Sequence, residues 1–262
     1  MTHSEKRVYL IRKLINELAD REKVGIPANG EDQKRLLRSL MNVRAPGRID
    51  PEFLSIQDEY LTEALAAEGI TDFRELVPIE PDLYLWRGDI TRLRCGAIVN
   101  AANSGMTGCY VPCHNCIDNC IHTYAGIQLR LACDEIIRRQ GHPEETGKAK
   151  ITPAFNLPCD YVIHTVGPIV NGRLTEREEG LLSDCYLSCL ALADANGVES
   201  IAFCCISTGV FLFPNDRAAE IAVDTVKQYK KENNSSIKVI FNVFKELDEQ
   251  LYRRLLGGHS KA

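Results

Sequence analysis

Apolar residues in the first 80 positions recur at every third or fourth place, which is the period of an amphipathic helix. The pattern is clearest over residues 8–18, and it returns over residues 34–43 and 51–68. Proline and glycine residues interrupt it between these segments, since both residue types break regular structure. This part of the chain is therefore predicted to be helical, with no strand.

From residue 81 onward, short apolar runs alternate with longer amphipathic segments. The runs predict strands at residues 82–86, 97–100, 161–166, 200–206 and 237–244. The amphipathic segments predict helices at residues 122–140, 176–196, 215–231 and 246–255. Strands that alternate with helices are typical of an α/β sheet covered on both faces. We therefore divide the chain into a helical N-terminal extension, residues 1–80, and an α/β domain, residues 81–262.

Composition narrows the range of functions. The chain has 262 residues, 45% of them hydrophobic, and a formal charge of −5, so general nucleic-acid binding is not expected. No apolar run approaches the roughly 20 residues needed to cross a bilayer, so no membrane partner is expected. The first twenty residues mix acids and bases, which fits neither a secretory signal nor a transit peptide. A cytoplasmic location is therefore expected, with reduced thiols.

The most unusual stretch is GCYVPCHNCIDNCIH, residues 108–122, which holds four of the eleven cysteines and two of the six histidines. Clustered thiols in a reducing compartment indicate a metal site, with Zn²⁺ as the expected ion. Six residues are candidate ligands: Cys109, Cys113, His114, Cys116, Cys120 and His122. The four cysteines alone would form a closed, structural four-thiolate site, whereas three ligands would leave one position open for chemistry.

Two loops that follow predicted strands are candidate ligand-binding segments, because α/β sheets bind ligands at the carboxyl ends of their strands. The loop at residues 207–214 contains Gly209, which allows the backbone to approach a diphosphate closely. The loop at residues 100–105 contains Asn103, whose amide can bond a sugar hydroxyl. Either loop can also be an ordinary connection, with Asn103 as a turn residue.

Several motifs, taken in order, resemble those of the macrodomain family. They are GDIT at residues 88–91, AIVNAAN at 97–103, KAKIT at 148–152, YVIHTVGP at 161–168 and ISTGVF at 206–211. The resemblance covers about residues 83–255. It implies a three-layer α/β/α sandwich with a mixed central sheet, preceded here by the helical extension. Macrodomains bind ADP-ribose, and the MacroD-type members hydrolyse it from modified proteins.

The resemblance also implies a role for individual residues. Asp89 and the Ile90 backbone would contact the adenine, and Phe244 would lie against its face. The diphosphate would lie in the loop formed by Ser207, Thr208, Gly209, Val210 and Phe211. Asn103 would contact the distal ribose. Asp118 falls at the position of the catalytic aspartate of the MacroD group.

The segment before Asp118 departs from the MacroD pattern, because cysteines and a histidine replace a run of glycines. In this respect the chain resembles a zinc-containing microbial subgroup that is associated with sirtuin-type ADP-ribosyltransferases. That resemblance implies Zn²⁺ held by Cys109, His114 and Cys116, with Cys113 as a possible replacement ligand. The zinc would either activate a water molecule or hold the ribose hydroxyls. His122 is expected to be a satisfied structural histidine, and His164 a core residue.

The function expected from the resemblance is a zinc-dependent hydrolase that removes mono-ADP-ribose from modified protein side chains, with acidic side chains as the expected attachment point. An ADP-ribosylated protein would be the substrate and ADP-ribose the product. The alternative is a reader module that binds ADP-ribose without cleaving it and uses the zinc structurally.

Overall fold

Three helices form the N-terminal part of the chain. A computed structural model describes residues 1–18 and 24–257, and in it these helices are α1 (His3–Asn16), α2 (Gly30–Val43) and α3 (Pro51–Glu68). Each begins at a residue whose side-chain oxygen accepts a backbone N–H, namely Thr2, Asn29 and Asp50. The three predicted helical segments are thereby confirmed.

The three helices enclose a hydrophobic cluster of their own. Its members are Leu10, Ile11, Leu14, Ile15, Leu37, Leu40, Met41, Phe53, Ile56, Tyr60 and Leu61, together with Ile127 from the following domain. Since Ile127 begins α5 of the α/β domain and packs in this cluster, the extension packs directly on that domain.

The remainder of the chain is built on a six-stranded sheet. Its strands are β2 (Leu83–Arg87), β4 (Ala97–Ala102), β5 (Ala149–Pro153), β6 (Tyr161–Val166), β7 (Ser200–Phe203) and β8 (Lys238–Val243). The order across the sheet is β2-β8-β7-β4-β6-β5, and every neighbouring pair is parallel except β5 with β6. The predicted mixed sheet is thereby confirmed.

Five helices cover the two faces of this sheet: α4 (Ile117–Ala125), α5 (Ile127–Gln140), α6 (Glu176–Ala195), α7 (Asn215–Asn233) and α8 (Glu246–Gly257). The path from β4 to β6 crosses the sheet in the opposite direction to the paths from β6 to β7 and β7 to β8. Because such crossovers are right-handed, α4 and α5 lie on one face and α6 and α7 on the other, where α8 packs against α7. This is the predicted α/β/α sandwich.

The structure differs from the sequence-based prediction in four elements. Two strands of two residues were not predicted: β1 (Thr71–Asp72), within the first 80 residues expected to contain no strand, and its partner β3 (Leu93–Arg94). Strands this short have no detectable period. The single helix predicted at residues 122–140 is two helices, because the chain breaks at Gly126, whose φ is +93°. Strand β5 was not predicted at all.

Within the described residues, no helix is long and apolar enough to cross a membrane.

Candidate functional site

Four parallel strands end side by side at one edge of the sheet, and the candidate binding residues follow them in order. Asp89 follows β2, Phe244 follows β8, the loop at residues 204–214 follows β7, and Asn103 follows β4. Neighbouring strands are about 4.8 Å apart, so this edge spans roughly 14 Å from β2 to β4. The residues predicted to contact the adenine, the diphosphate and the ribose therefore lie along one line, in the order of these parts in ADP-ribose.

The first part of this edge is formed by the ends of β2 and β8. Asp89 begins a 3₁₀ turn, and its Oδ1 accepts hydrogen bonds from the N–H and the hydroxyl of Thr91 over 3.0 and 2.7 Å. The side chain of Ile90 is buried in the core, so only its backbone faces the edge. The Phe244 ring is 78% exposed. A large aromatic ring left in solvent beside a strand end is a surface on which a planar ligand can stack.

The loop after β7 presents backbone N–H groups. The N–H groups of Gly209, Val210 and Phe211 make no hydrogen bond to other described residues. Ser207, whose φ is +64°, redirects the chain at the start of the loop, and its buried hydroxyl has no hydrogen-bond partner in the described part of the chain. A Cβ added to Gly209 would meet no atom of residues 1–18 or 24–257 within 4 Å, so its surface is open. Unpaired N–H groups on an open loop are suited to an anion such as a diphosphate.

Asp118 is the central acid of the site. It lies in the first turn of α4, is 5% exposed, and receives a hydrogen bond on each oxygen. Asn100 Nδ2 donates to Oδ1 over 2.9 Å, and Asn103 Nδ2 donates to Oδ2 over 3.2 Å. Burial raises the pKa of Asp118 to about 6, although the two amide hydrogen bonds lower it. A carboxyl with this pKa exchanges protons near neutral pH, as a general base must.

Asn103 is positioned by the same contacts. Its Nδ2 also donates to the carbonyl of Gly108 over 3.1 Å, and its Oδ1 accepts the N–H of Gly105 over 3.0 Å. The amide nitrogen is thus fully used within the protein. A bond from Asn103 to a ribose hydroxyl would use the remaining lone pair of Oδ1.

Three of the candidate ligands meet beside Asp118. The ligand atoms of Cys109, His114 and Cys116 all lie within 4.8 Å of one another, and Cys109 Sγ is 3.6 Å from His114 Nδ1. A thiolate and an imidazole on one tetrahedral zinc ion would stand about 3.6 Å apart, given typical bond lengths. Two thiolates and a neutral imidazole also suit the ion chemically. The residues present therefore fit zinc.

The other two cysteines of the segment point elsewhere. Cys113 Sγ donates to the carbonyl of Arg35 over 3.4 Å, and Cys120 Sγ lies 3.6 Å from Nη2 of Arg38. Neither belongs to a potential metal-binding group among the described residues. The structure thus does not assemble the four-thiolate alternative.

A second group, His122, Cys133 and His164, also has its donor atoms within 4.8 Å of one another. His164 accepts from Asn100 at Nδ1 over 3.1 Å, and its Nε2 lies 3.0 Å from the Thr152 hydroxyl. Both ring nitrogens are thereby used, and His164 is a core residue that holds Asn100 against Asp118. The expectation of a satisfied His122 is wrong, since neither of its ring nitrogens has a hydrogen-bond partner among the described residues. Its Nε2 lies 3.6 Å from Asp118 Oδ1, and its ring packs under Gly108.

Sequence reasoning missed three residues that organise the site: Asn100, Asn119 and Arg38. Asn100 lies inside the AIVNAAN motif at residues 97–103, and a polar residue within an apolar predicted strand could have indicated its role. Asn119 follows Asp118 directly but lies before the helix predicted at residues 122–140, and it was assigned no role. Arg38 had no local signal, because its contacts with the site lie more than 75 positions away in the chain.

Comparison with known proteins gives consistent matches. The Macro domain family model matches residues 99–222. The protein-ADP-ribose hydrolase of Treponema medium is 60% identical over 261 residues, which cover 98% of this chain and 100% of that protein. The protein-ADP-ribose hydrolase of Staphylococcus aureus strain MSSA476 is 51% identical over 94% of this chain and 92% of that protein.

Solved structures give the same result. The Trypanosoma brucei macrodomain in complex with ADP-ribose matches with a TM-score of 0.65 and 29% identity, over 84% of this chain and 95% of that one. The Oceanobacillus iheyensis macrodomain with ADP matches with a TM-score of 0.62 and 36% identity, over 69% of this chain and 93% of that one.

Proposed function

The chain belongs to the Macro domain family, and on this basis we propose that it is a zinc-dependent hydrolase that removes mono-ADP-ribose from modified protein side chains. Relatives at 60% and 51% identity bear the name protein-ADP-ribose hydrolase. We extend the proposal to acidic side chains as the attachment point. The predicted association with a sirtuin-type transferase stays a prediction.

One observation carries the proposal: a buried carboxylate, Asp118, lies beside three converging metal ligands at the ribose end of the strand edge. A reader that only binds ADP-ribose needs neither of these. The adenine end and the diphosphate loop would serve both functions equally, so they do not discriminate between them.

The binding groove would position the bond that breaks. Asp89, the Ile90 backbone and Phe244 would hold the adenine, and the N–H groups of residues 209–211 would hold the diphosphate. These contacts lie away from the reacting carbon, so they fix where the distal ribose stands. Such positioning accounts for much of the rate acceleration in hydrolysis of bound substrates.

Asp118 would act on the attacking water. Hydrolysis breaks the bond between C1 of the distal ribose and the side-chain oxygen of the modified protein. A water oxygen bonds to that carbon, and its proton passes to Asp118 Oδ2 or Oδ1. Asn100 and Asn103 hold the carboxylate in place, so that it accepts the proton without reorienting.

Cys109, His114 and Cys116 would hold the zinc. Bound there, the ion would supply Lewis-acid chemistry, either by lowering the pKa of a water molecule or by binding ribose hydroxyls. The protein's part is to keep the three ligand atoms together and adjacent to Asp118.

The proposal is tested by substitution in the full chain. ADP-ribose release from a mono-ADP-ribosylated protein is measured for the wild type, Cys116→Ala, Asp118→Ala and the control Cys113→Ala, together with ADP-ribose affinity by calorimetry. Cys116→Ala is expected to abolish release, and Asp118→Ala to slow it at least a hundredfold with little change in affinity. Cys113→Ala, from the same segment, is expected to retain activity.

Two results would reject the proposal. Normal release by both Cys116→Ala and Asp118→Ala would remove these residues from the reaction. Tight ADP-ribose binding by a wild-type protein that releases nothing from any modified substrate would identify a reader.

A further inference from the structure

Helix α2 of the N-terminal extension contacts the segment that carries the three metal ligands. Arg38 Nη2 donates to the backbone carbonyl of His114 over 2.7 Å. One turn further along the same helix, Asn42 Oδ1 accepts the N–H of Cys113 over 2.9 Å. Both contacts therefore fasten the middle of the ligand segment to a helix outside the α/β domain.

Asn119 connects Arg38 with the other two ligand residues. It is fully buried, and its Oδ1 accepts from Arg38 Nη2 over 3.0 Å. Its Nδ2 donates to the carbonyl of Cys109 over 3.2 Å, and its backbone N–H lies 3.4 Å from Cys116 Sγ. Through Arg38 and Asn119, all three ligand residues are held by one hydrogen-bonded unit.

The ligand segment needs external support because its backbone is not in a relaxed conformation. Cys113 has a φ of +53°, and such conformations of non-glycine residues persist only where surrounding contacts determine them. The contacts of Asn42 with Cys113 and of Arg38 with His114 supply this support. Arginine suits the position because its planar group serves two acceptors on different segments at once.

We propose that Arg38 is a positioning residue of the metal site, and that with Asn119 it holds residues 109–116 so that the three ligand atoms face one another. The N-terminal extension then positions the metal ligands through helix α2. This inference rests on the metal binding in the proposed function. Removing a residue that positions metal ligands through hydrogen bonds typically lowers metal affinity by about ten- to a hundredfold.

The test compares Arg38→Met and Arg38→Lys with Arg35→Met as the matched control. Arg35 lies one turn earlier on α2, and its guanidinium makes no hydrogen bond to any residue that the structure describes. Zinc affinity is measured by competition with a chromophoric chelator, and the ligand geometry by visible absorption of the Co²⁺-loaded protein. Neither readout depends on enzymatic activity.

Arg38→Met is expected to weaken zinc binding by about ten- to a hundredfold and to alter the Co²⁺ spectrum. Arg38→Lys is expected to weaken it less, since lysine keeps the charge and one donor at the site. Arg35→Met is expected to match the wild type. Near-UV circular dichroism in chelator checks the fold, and should Arg38→Met not fold, the comparison of Arg38→Lys with the wild type decides.

Wild-type zinc affinity and an unaltered Co²⁺ spectrum in the Arg38 variants would overturn this inference and leave the proposed zinc site intact. A wild-type protein that binds no zinc would overturn both.

Discussion

At the scale of single residues, Asp118 shows how the chain maintains a carboxylate where burial opposes its charge. An isolated buried carboxylate would take up a proton or seek water. Here each oxygen receives an amide hydrogen, from Asn100 and from Asn103. The carboxylate thus keeps a fixed orientation, and its pKa is about 6. Asn100 is itself held by a hydrogen bond to His164 Nδ1.

Gly108 is the residue whose replacement we expect to be most damaging to the ligand segment. Its φ is +84°, and an added Cβ would lie 2.7 Å from the His122 ring. We expect Gly108→Ala to lower the free energy of unfolding by about 2–4 kcal/mol, combining an unfavourable φ with overpacking. Urea unfolding measures the change.

Gly209→Ala is the matched control, because its φ is not positive and the new methyl would meet no atom within 4 Å. We expect its stability to stay within about 0.5 kcal/mol of the wild type, with weaker ADP-ribose binding as the only effect. Equal stability of the two variants would show that His122 and Gly108 are not packed as described.

At the scale of elements, helix α3 determines where α4 ends and α5 begins. Gly126 separates the two helices, and a Cβ there would lie 2.5 Å from Gln57 Nε2. Gln57 Oε1 accepts the N–H of Ile127 over 3.0 Å, which is the first N–H of α5. The junction is thus fixed by a side chain almost 70 positions earlier in the sequence.

We expect Gln57→Leu to destabilise the protein by about 1–3 kcal/mol, because the buried N–H of Ile127 would lose its acceptor. The exposed Gln228, whose side chain bonds only to Glu232 among the residues that the structure describes, provides the control substitution Gln228→Leu. Urea unfolding of both is compared with the wild type. A Gln57→Leu protein as stable as the control would show that α3 does not hold this junction.

The difference between local sequence patterns and contacts between distant residues explains how much of the fold and site could be predicted from sequence. Strands β4, β6, β7 and β8 are short apolar runs, and the helices of the extension have a clear helical period, so local patterns suffice for them. The break at Gly126 and the contacts of Arg38 depend on distant residues, and no local pattern contains them. The order of Cys109, His114 and Cys116 suggested a ligand set through family resemblance, but not the side chains that hold it.

At the scale of the whole molecule, the extension and the sheet domain form one structure around the site. Ile127 joins the hydrophobic cluster of the extension, and Arg130 of α5 donates to the carbonyls of Met41, Asn42 and Arg44 at the end of α2. The face of its guanidinium lies 4.3 Å from the centre of the Tyr110 ring. The segment that contains the three candidate ligands is therefore contacted by both parts of the chain.

The buried histidines make the stability of the whole molecule sensitive to acid. Burial lowers the pKa of His164 to about 3, against about 6.5 in an unfolded chain. Between these values the unfolded chain binds a proton that the folded protein does not. The stability is therefore fully present above about pH 6.5 and falls with decreasing pH, by up to about 1.4 kcal/mol per pH unit from this residue.

We expect His164→Gln to reduce the pH dependence of the free energy of unfolding by the equivalent of about one proton. Urea unfolding between pH 5 and 7, in the presence of chelator, measures this dependence. Asp118, whose pKa is raised, acts in the opposite direction, and comparing variants at equal pH removes its contribution. The exposed His142 provides the control substitution His142→Gln. A slope unchanged in His164→Gln would contradict the burial of a neutral ring at this position.

The most direct test of the central claim is the rate of ADP-ribose release from a mono-ADP-ribosylated protein, measured as purified, after metal removal, and after one equivalent of Zn²⁺ is restored. We expect metal removal to slow release at least about a hundredfold and zinc to restore it, while ADP-ribose still binds the metal-free protein. Undiminished release by protein shown to contain no metal would contradict the account.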